Sequence, residues 1–324
     1  MLADWVELNA LHSPDGRIGF GTLVSASDMA TEEQDEDIAD EDVRQDDLVV
    51  SVQAEINERR KVVGPDYPFS VDGNGAAMQM VADVTPVGAI YLFCLFLSHA
   101  AVRTIIPEEL APEVDNDVRD LFQVCATIAA AGYVEGIGTS FGWPRPDGAE
   151  FLPALQRIYA LFGDGTPVDE PPPAAPDDVK DDGIDVIAWR PSPDGLPGTH
   201  YLVGQVASGK NWRGKTVKAY MDSFHQYWFT RQPASPASPA MFMPFCLEPK
   251  ANEDFDRQEI AVDHMQKLVN QFGILVYRYR MASYAARGLK VNAESGHLIE
   301  RLDELPRVAQ WVRDYSDRLR AATN

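Results

Sequence analysis

A chain of 324 residues, 45% of them hydrophobic, can bury a core of ordinary size, and its length fits roughly two domains. A formal net charge of −22 excludes a globally basic surface of the kind that holds polyanions non-specifically, so any nucleic-acid contact has to be local. Three cysteines far apart in apolar surroundings (Cys94, Cys125, Cys246), with no C-x-x-C, argue against a zinc site and fit small buried side chains in a reducing cytoplasm.

In chain order, "ADWVELNALHS" spaces Trp5, Val6, Leu8 and Leu11 as a helix does. The run 31–47 holds ten acidic residues and one arginine; it repels itself, and predicts a solvated loop or helix start. Without it the chain is still about −13. "LVVSVQAEINERRK", 48–61, reads as an amphipathic helix, "GPDYPFSVDGNG" as turn chemistry around a short extended piece, and "AAMQMVADV" as a strand. The most apolar run, 87–102, is shorter than the roughly 20 residues a bilayer needs and contains Ser98 and His99, which predicts a buried helix and no membrane partner. A helix is expected over 116–133 with Asn116 as its N-cap and Gly132 as its stop, and a second over 149–162. The Pro- and Asp-rich stretch 163–183 reads as an exposed connector. Strands are expected at 184–191 and 199–208 around the turn "SPDGLPG", followed by the basic turn "GKNWRGK" and an amphipathic helix "TVKAYMDSFHQYWFT". "QPASPASPA" reads as a low-complexity loop, "MFMPFCLE" as a strand, and the tail beyond Leu298 as helix. The division expected is a mainly helical region, 1–110, carrying the acidic run, and an α/β domain, 111–324.

Residues 209–216 satisfy the phosphate-loop pattern G-x-x-x-x-G-K-[ST], with Lys215 and Thr216 at its end. Strand, turn and helix are the right context, and "MFMPFCLE" even ends in an acid, Glu248. Against this, Trp212 and Arg213 are bulky for a backbone that must wrap phosphate, and few residues remain for the other strands of such a fold. A nucleotide-binding protein is therefore one of three functions considered.

The hairpin offers different chemistry. Asp185 stands on a strand between Ile184 and Val186, where an aspartate is costly without a partner. Gln205 lies on the returning strand, and Lys210 and Lys215 follow. A carboxylate, a second oxygen ligand and an ammonium group are what phosphodiester hydrolysis needs: oxygen ligands for Mg²⁺ or Mn²⁺, and a cation for the developing charge.

On "DDGIDVIAW" and "GQVA" the chain resembles the Mrr-type branch of the PD-(D/E)xK restriction-endonuclease-like family, over about residues 116–230. In that branch a helix bearing Phe-Glu precedes a D-G-G-I-D strand and a Q-x-K or E-x-K strand. The resemblance implies an α/β fold, a restriction-endonuclease-like mixed sheet flanked by helices. It implies a metal-dependent DNA endonuclease serving restriction or anti-phage defence in the cytoplasm. It assigns Asp185, Gln205 and Gln123 to the metal and Asp185, Gln205, Lys210 and Lys215 to catalysis; on so acidic a chain a local basic patch for DNA falls to Lys210, Arg213, Lys215 and Lys218. Two positions depart from the pattern: Gln123 stands where the helix should carry Glu, and Ala207 where the second strand should carry Lys. The lysine role passes to Lys210, the nearer one, or to Lys215, and Asp120, Asp181 or Asp182 could add charge. The departures open the remaining function, a nuclease-fold interaction subunit that does not cut. A protein partner that supplies DNA binding or silences the site, and masking of the basic turn by the 31–47 run, are further expectations.

Overall fold

The computed structural model describes residues 2–23, 38–100, 105–145, 147–176, 179–247 and 257–323, without the side chains of 38–45, 210, 257, 258 and 323. The part of the acidic run before residue 38, and Glu248, lie outside the described residues; from Ile38 onward the run is helix.

The helices are α1 (Leu2–His12), α2 (Ile38–Val63), α3 (Pro86–Ala100), α4 (Asn116–Val134), α5 (Phe151–Phe162), α6 (Met221–Trp228), α7 (Arg257–Phe272), α8 (Arg278–Ser295) and α9 (Leu305–Thr323). The strands are β1 (Arg17–Gly19), β2 (Phe69–Val71), β3 (Ala77–Met80), β4 (Ile137–Ser140), β5 (Thr166–Pro167), β6 (Val186–Trp189), β7 (Tyr201–Val206), β8 (Phe229–Arg231), β9 (Ala237–Phe242) and β10 (Ile274–Val276). The protein is α/β, built on a mixed five-stranded sheet in the order β10-β9-β7-β6-β4. β4, β6 and β7 form an antiparallel meander, while β9 runs parallel to β7 and β10 parallel to β9. Helices α6 and α7 lie in the two parallel connections.

Alternation along the strands sends their side chains to two cores. Val186, Ala188, Leu202 and Phe242 pack with α4 on one face, whereas Ile187, Trp189, Tyr201 and Val203 pack with α5 and α6 on the other. Met241, Ala207 and Leu275 join Trp212 and α7 in a third cluster.

Helix α4 is buried almost all round because it lies between the sheet and α8. Its N-cap is Asp115, whose carboxylate accepts the Val118 N–H at 2.8 Å, one residue before the expected Asn116. Gly132 does not end it; the helix runs to Val134 and closes on a left-handed Glu135. Gly132 serves a helix crossing instead: a Cβ there would fall 1.8 Å from the Tyr284 carbonyl, and one on Gly288 would fall 2.4 Å from that of Ile128.

Local sequence misleads in two other places. "ASPA", 237–240, read above as loop, is the start of β9, because the parallel pairing to β7 overrides weak propensity. The amphipathic helix expected from Thr216 is split, with a 3₁₀ turn at Val217–Ala219 and α6 beginning only at Met221.

The N-terminal region has a small sheet, β1-β3-β2, around α1, α2 and α3. Among the described residues one hydrophobic cluster runs from Ala3 through α3 and α4 to Leu319. Within it lies a buried ionic knot. Arg59 meets Asp4 at 2.6 Å and Glu7 at 2.8 Å, and Arg278 meets Asp4 at 2.8 Å, tying α1, α2 and α8 together. Among the described residues no helix is long and apolar enough to cross a membrane.

Candidate functional site

The turn that carries Asp185 is fixed before the strand begins. Asp182 and Gly183 both adopt positive φ, 49° and 75°. Asp181 accepts the Gly183 N–H at 2.8 Å, and Asp182 accepts the Trp228 indole N–H at 2.9 Å. Tyr220 donates its hydroxyl to the Gly183 carbonyl at 2.8 Å, and a Cβ on Gly183 would fall 2.1 Å from that hydroxyl, so glycine is required twice over. "DDGID" is thus a locked turn that delivers Asp185 to the mouth of the sheet.

There the Asp185 carboxylate accepts the Val206 N–H through Oδ2 at 2.7 Å. Its backbone carbonyl accepts N–H groups of Phe141 at 2.7 Å and Gly142 at 2.9 Å. Burial raises its pKa to about 7; the Val206 N–H opposes this, the Asp181 charge adds to it, and the Lys215 charge opposes it. This carboxylate is short of positive charge.

Gln123, on α4, is buried and donates its amide N–H to Ser140 Oγ at 2.7 Å and to the Asp185 carbonyl at 3.3 Å. A Cβ on Gly142 would fall 2.5 Å from Gln123 Oε1, 2.6 Å from Asp185 Oδ1 and 2.7 Å from Gln123 Nε2, so the carboxylate and the amide both border the space above that glycine. Ser140 is itself held from a distant part of the chain: Glu300 accepts its N–H at 2.8 Å and takes Arg157 at 2.6 Å on its other oxygen.

Asp185, Gln123 and Lys215 line one open cleft of about 670 Å³, together with Asp120, Arg119 and Asn211. Asp120, which could have added charge, is committed to Arg301 by a two-pronged pair at 2.6 and 2.5 Å.

The structure therefore brings together three of the residues singled out in the sequence and leaves others apart. Gln205 is not among the walls of this cleft. It shares the strand parity of Tyr201 and Val203, while its neighbour Val206 faces the cleft. Its amide lies near Gly183, where a Cβ would stand 3.4 Å from Nε2, and its Oε1 is buried with no hydrogen-bond partner. Ala207 is buried beside Trp212 and Met241, an apolar setting that would not admit the lysine of the pattern. The Lys210 side chain lies outside the described residues, and Lys215 is the lysine at the cleft. Lys218 donates to the Asn270 carbonyl at 2.7 Å and caps the end of α7, and Arg213 lies 4.4 Å over the Trp212 ring. Arg119, Ser140, Trp143 and Glu300 were not found from sequence; none belongs to a motif, and Glu300 is distant in the chain.

The phosphate-loop pattern does not fold as a cradle. Residues Lys210–Gly214 form a 3₁₀ turn, in which the Trp212 N–H is spent on the Gly209 carbonyl and the Lys215 N–H on the Trp212 carbonyl. The Thr216 hydroxyl, which would face a metal, donates to the Gln271 carbonyl at 3.0 Å, and only a single 3₁₀ turn, not an α-helix, begins there.

The donor set suits a hard, largely hydrated cation. Mg²⁺ keeps several waters and takes one or two protein carboxylates, and here one carboxylate oxygen and one amide oxygen converge beside open solvent. Among the described residues no group of three or more His, Cys, Asp and Glu side chains gathers around one point, so a fully protein-ligated metal does not fit. Comparison with protein-family models, with curated proteins and with solved structures returned no match.

Proposed function

We propose that the chain is a Mg²⁺- or Mn²⁺-dependent DNA endonuclease with a divergent PD-(D/E)xK site, acting in restriction or anti-phage defence. The observation that carries this reading is the convergence of Asp185 Oδ1 and Gln123 Oε1 over Gly142, in a cleft that Lys215 also lines. The chain order supports it: a helix with Phe122 and Gln123 precedes the turn Asp182–Asp185 leading into β6 and then the antiparallel β7, although β4, α5 and β5 stand where the resemblance has a loop.

Asp185 and Gln123 would hold the cation, which supplies an acidified water and charge neutralisation at the phosphate. Gln123 is fixed by Ser140, and Ser140 by Glu300, so the amide oxygen needs no rearrangement to bind. Lys215 places a positive charge where negative charge builds on the phosphate oxygens. The raised pKa of Asp185, about 7, belongs to a carboxylate that a bound cation would hold in its charged form. Gly142 leaves the approach open, since any side chain there would fill it.

The gathering of a single carboxylate with an amide favours a second reading, an interaction subunit that retains the site without cutting. One assay separates the two. Supercoiled plasmid is incubated with Mg²⁺ or Mn²⁺ and with wild type, Asp185→Asn or Lys215→Met. Nicking by wild type that falls at least about 100-fold in both variants supports the nuclease. Equal conversion by wild type and Asp185→Asn, or none by wild type with either metal, removes it.

A further inference from the structure

Beside the cleft, and sharing Trp143 with it, lies a smaller apolar pocket of about 270 Å³. Its walls include Trp143, Phe151, Trp228, Pro171, Pro176 and Val179. Phe151 and Trp228 are buried and their rings pack 4.6 Å apart, so the floor is rigid. Trp143 is different: 45% of it is exposed, an unusual state for an indole with no hydrogen-bonding duty at a surface. It is nevertheless held, with the Arg145 guanidinium 5.8 Å from its ring centre. Arg145 in turn is buried, bonds the carbonyls of Lys180 and Ala149, and has no partner for its Nε–H.

Resting on the nuclease reading, we propose that Trp143 is a stacking platform for an unpaired DNA base, and that the substrate of the cleft is single-stranded DNA or a duplex with unpaired nucleotides. A strand whose phosphate lies at Asp185 and Lys215 would bring a neighbouring base to Trp143, because that ring lines both cavities. Inside a duplex the same base face is already covered by its neighbours. The charge of the chain leads to the same conclusion. At −22, and with Arg119 and Lys215 the only cations among the described residues of the cleft wall against Glu113, Asp120 and Asp185, counterion release from those residues supplies little affinity. Base–aromatic stacking depends far less on charge and can supply what is missing.

The test measures binding of one fluorescein-labelled oligonucleotide, single-stranded and as a duplex, by anisotropy. The protein carries Asp185→Asn to prevent cutting, alone and with Trp143→Ala or Trp143→Phe. The parent should bind the single strand more tightly than the duplex. Trp143→Ala should weaken the single strand at least about fivefold and leave the duplex unchanged, while Trp143→Phe keeps most of the affinity. A 2-aminopurine in the strand should be quenched by the parent and by Trp143→Phe, and not by Trp143→Ala. Binding that is indifferent to Trp143→Ala, or that falls equally for both DNA forms, overturns the platform. If wild type still nicks DNA in that case, the nuclease reading survives. If the parent binds neither form and wild type does not cut, both fall together.

Discussion

The ionic knot buries the Asp4 carboxylate and the cleft half-buries that of Asp185, and they solve the problem in opposite ways. At Asp4, burial pushes the pKa up, but the charges of Arg278 and Arg59 and the hydrogen bonds from His99 and Arg278 outweigh it and hold the group well below its ordinary value. Both guanidiniums are fully buried, and their own pKa values are pushed higher still by the acids around them against the cost of burial. The knot is neutralised from within and borders none of the cavities described above. At Asp185 burial dominates; one backbone N–H and the more distant Lys215 oppose it, and the pKa rises to about 7. Internal neutralisation marks a structural tie, whereas a buried acid left short of positive charge beside solvent marks a place that a cation or a proton can fill.

The comparison can be broken first at the knot. Arg278→Met removes the two-pronged partner of Asp4 and leaves that charge buried with less compensation, and should cost about 3–5 kcal/mol in urea unfolding. A loss below about 1 kcal/mol would mean that the knot is not neutralised as described.

Gly132→Ala sharpens the packing side of the same core. Its Cβ would enter the Tyr284 backbone, so α4 and α8 must part, and a loss of roughly 1–3 kcal/mol is expected. Because α4 carries Gln123, this variant should also lose DNA nicking more than its stability alone accounts for.

Asp185→Asn should have the opposite sign. The amide oxygen can still accept the Val206 N–H, while the charge is gone. Below the ordinary carboxylate pKa of 3.8 both folded and unfolded wild type hold the proton, and no penalty exists. Between there and about 7 the unfolded chain ionises and the folded one does not, so wild type loses stability relative to the variant as pH rises, and the gap is constant above. Discounted for the partial exposure of the carboxylate, Asp185→Asn should be about 1–2 kcal/mol more stable than wild type near pH 8 without metal, and equal to it near pH 3. A variant less stable at every pH would contradict the assignment of an unneutralised acid.

The smallest effect is expected at Gln205. Gln205→Met replaces an amide whose oxygen has no partner with an apolar chain of similar length, and should change stability by under about 1 kcal/mol. Nicking should change less than about threefold, because the residue does not line the cleft. A loss as large as that of Asp185→Asn would return Gln205 to the metal.

Much of this was legible in the sequence. The fully apolar α3, the helix around Gln123 and the hairpin of β6 and β7 follow from periodicity and turn residues, since local chemistry decides them. Asp185 was legible because an aspartate between Ile184 and Val186 is locally expensive. Lys215 was singled out, but nothing local could rank it against Lys210. Gln205 was read as a residue of the returning strand and assigned to the metal; which face of that strand lines the cleft depends on where α4 lies, which the hairpin alone does not encode. The chain Arg157–Glu300–Ser140–Gln123 was not legible because it joins four separate segments. The same holds for His99, which pairs with Asp4 at 2.7 Å across the whole N-terminal region and has no motif to betray it.

The central claim, that the charge missing at Asp185 is a cation site shared with Gln123, is tested most directly by counting bound Mn²⁺ by electron paramagnetic resonance. Wild type should bind one ion, Gln205→Met should bind it equally well, and Asp185→Asn and Gln123→Leu should each weaken it by at least about tenfold. Equal Mn²⁺ binding by wild type and Asp185→Asn would contradict the account.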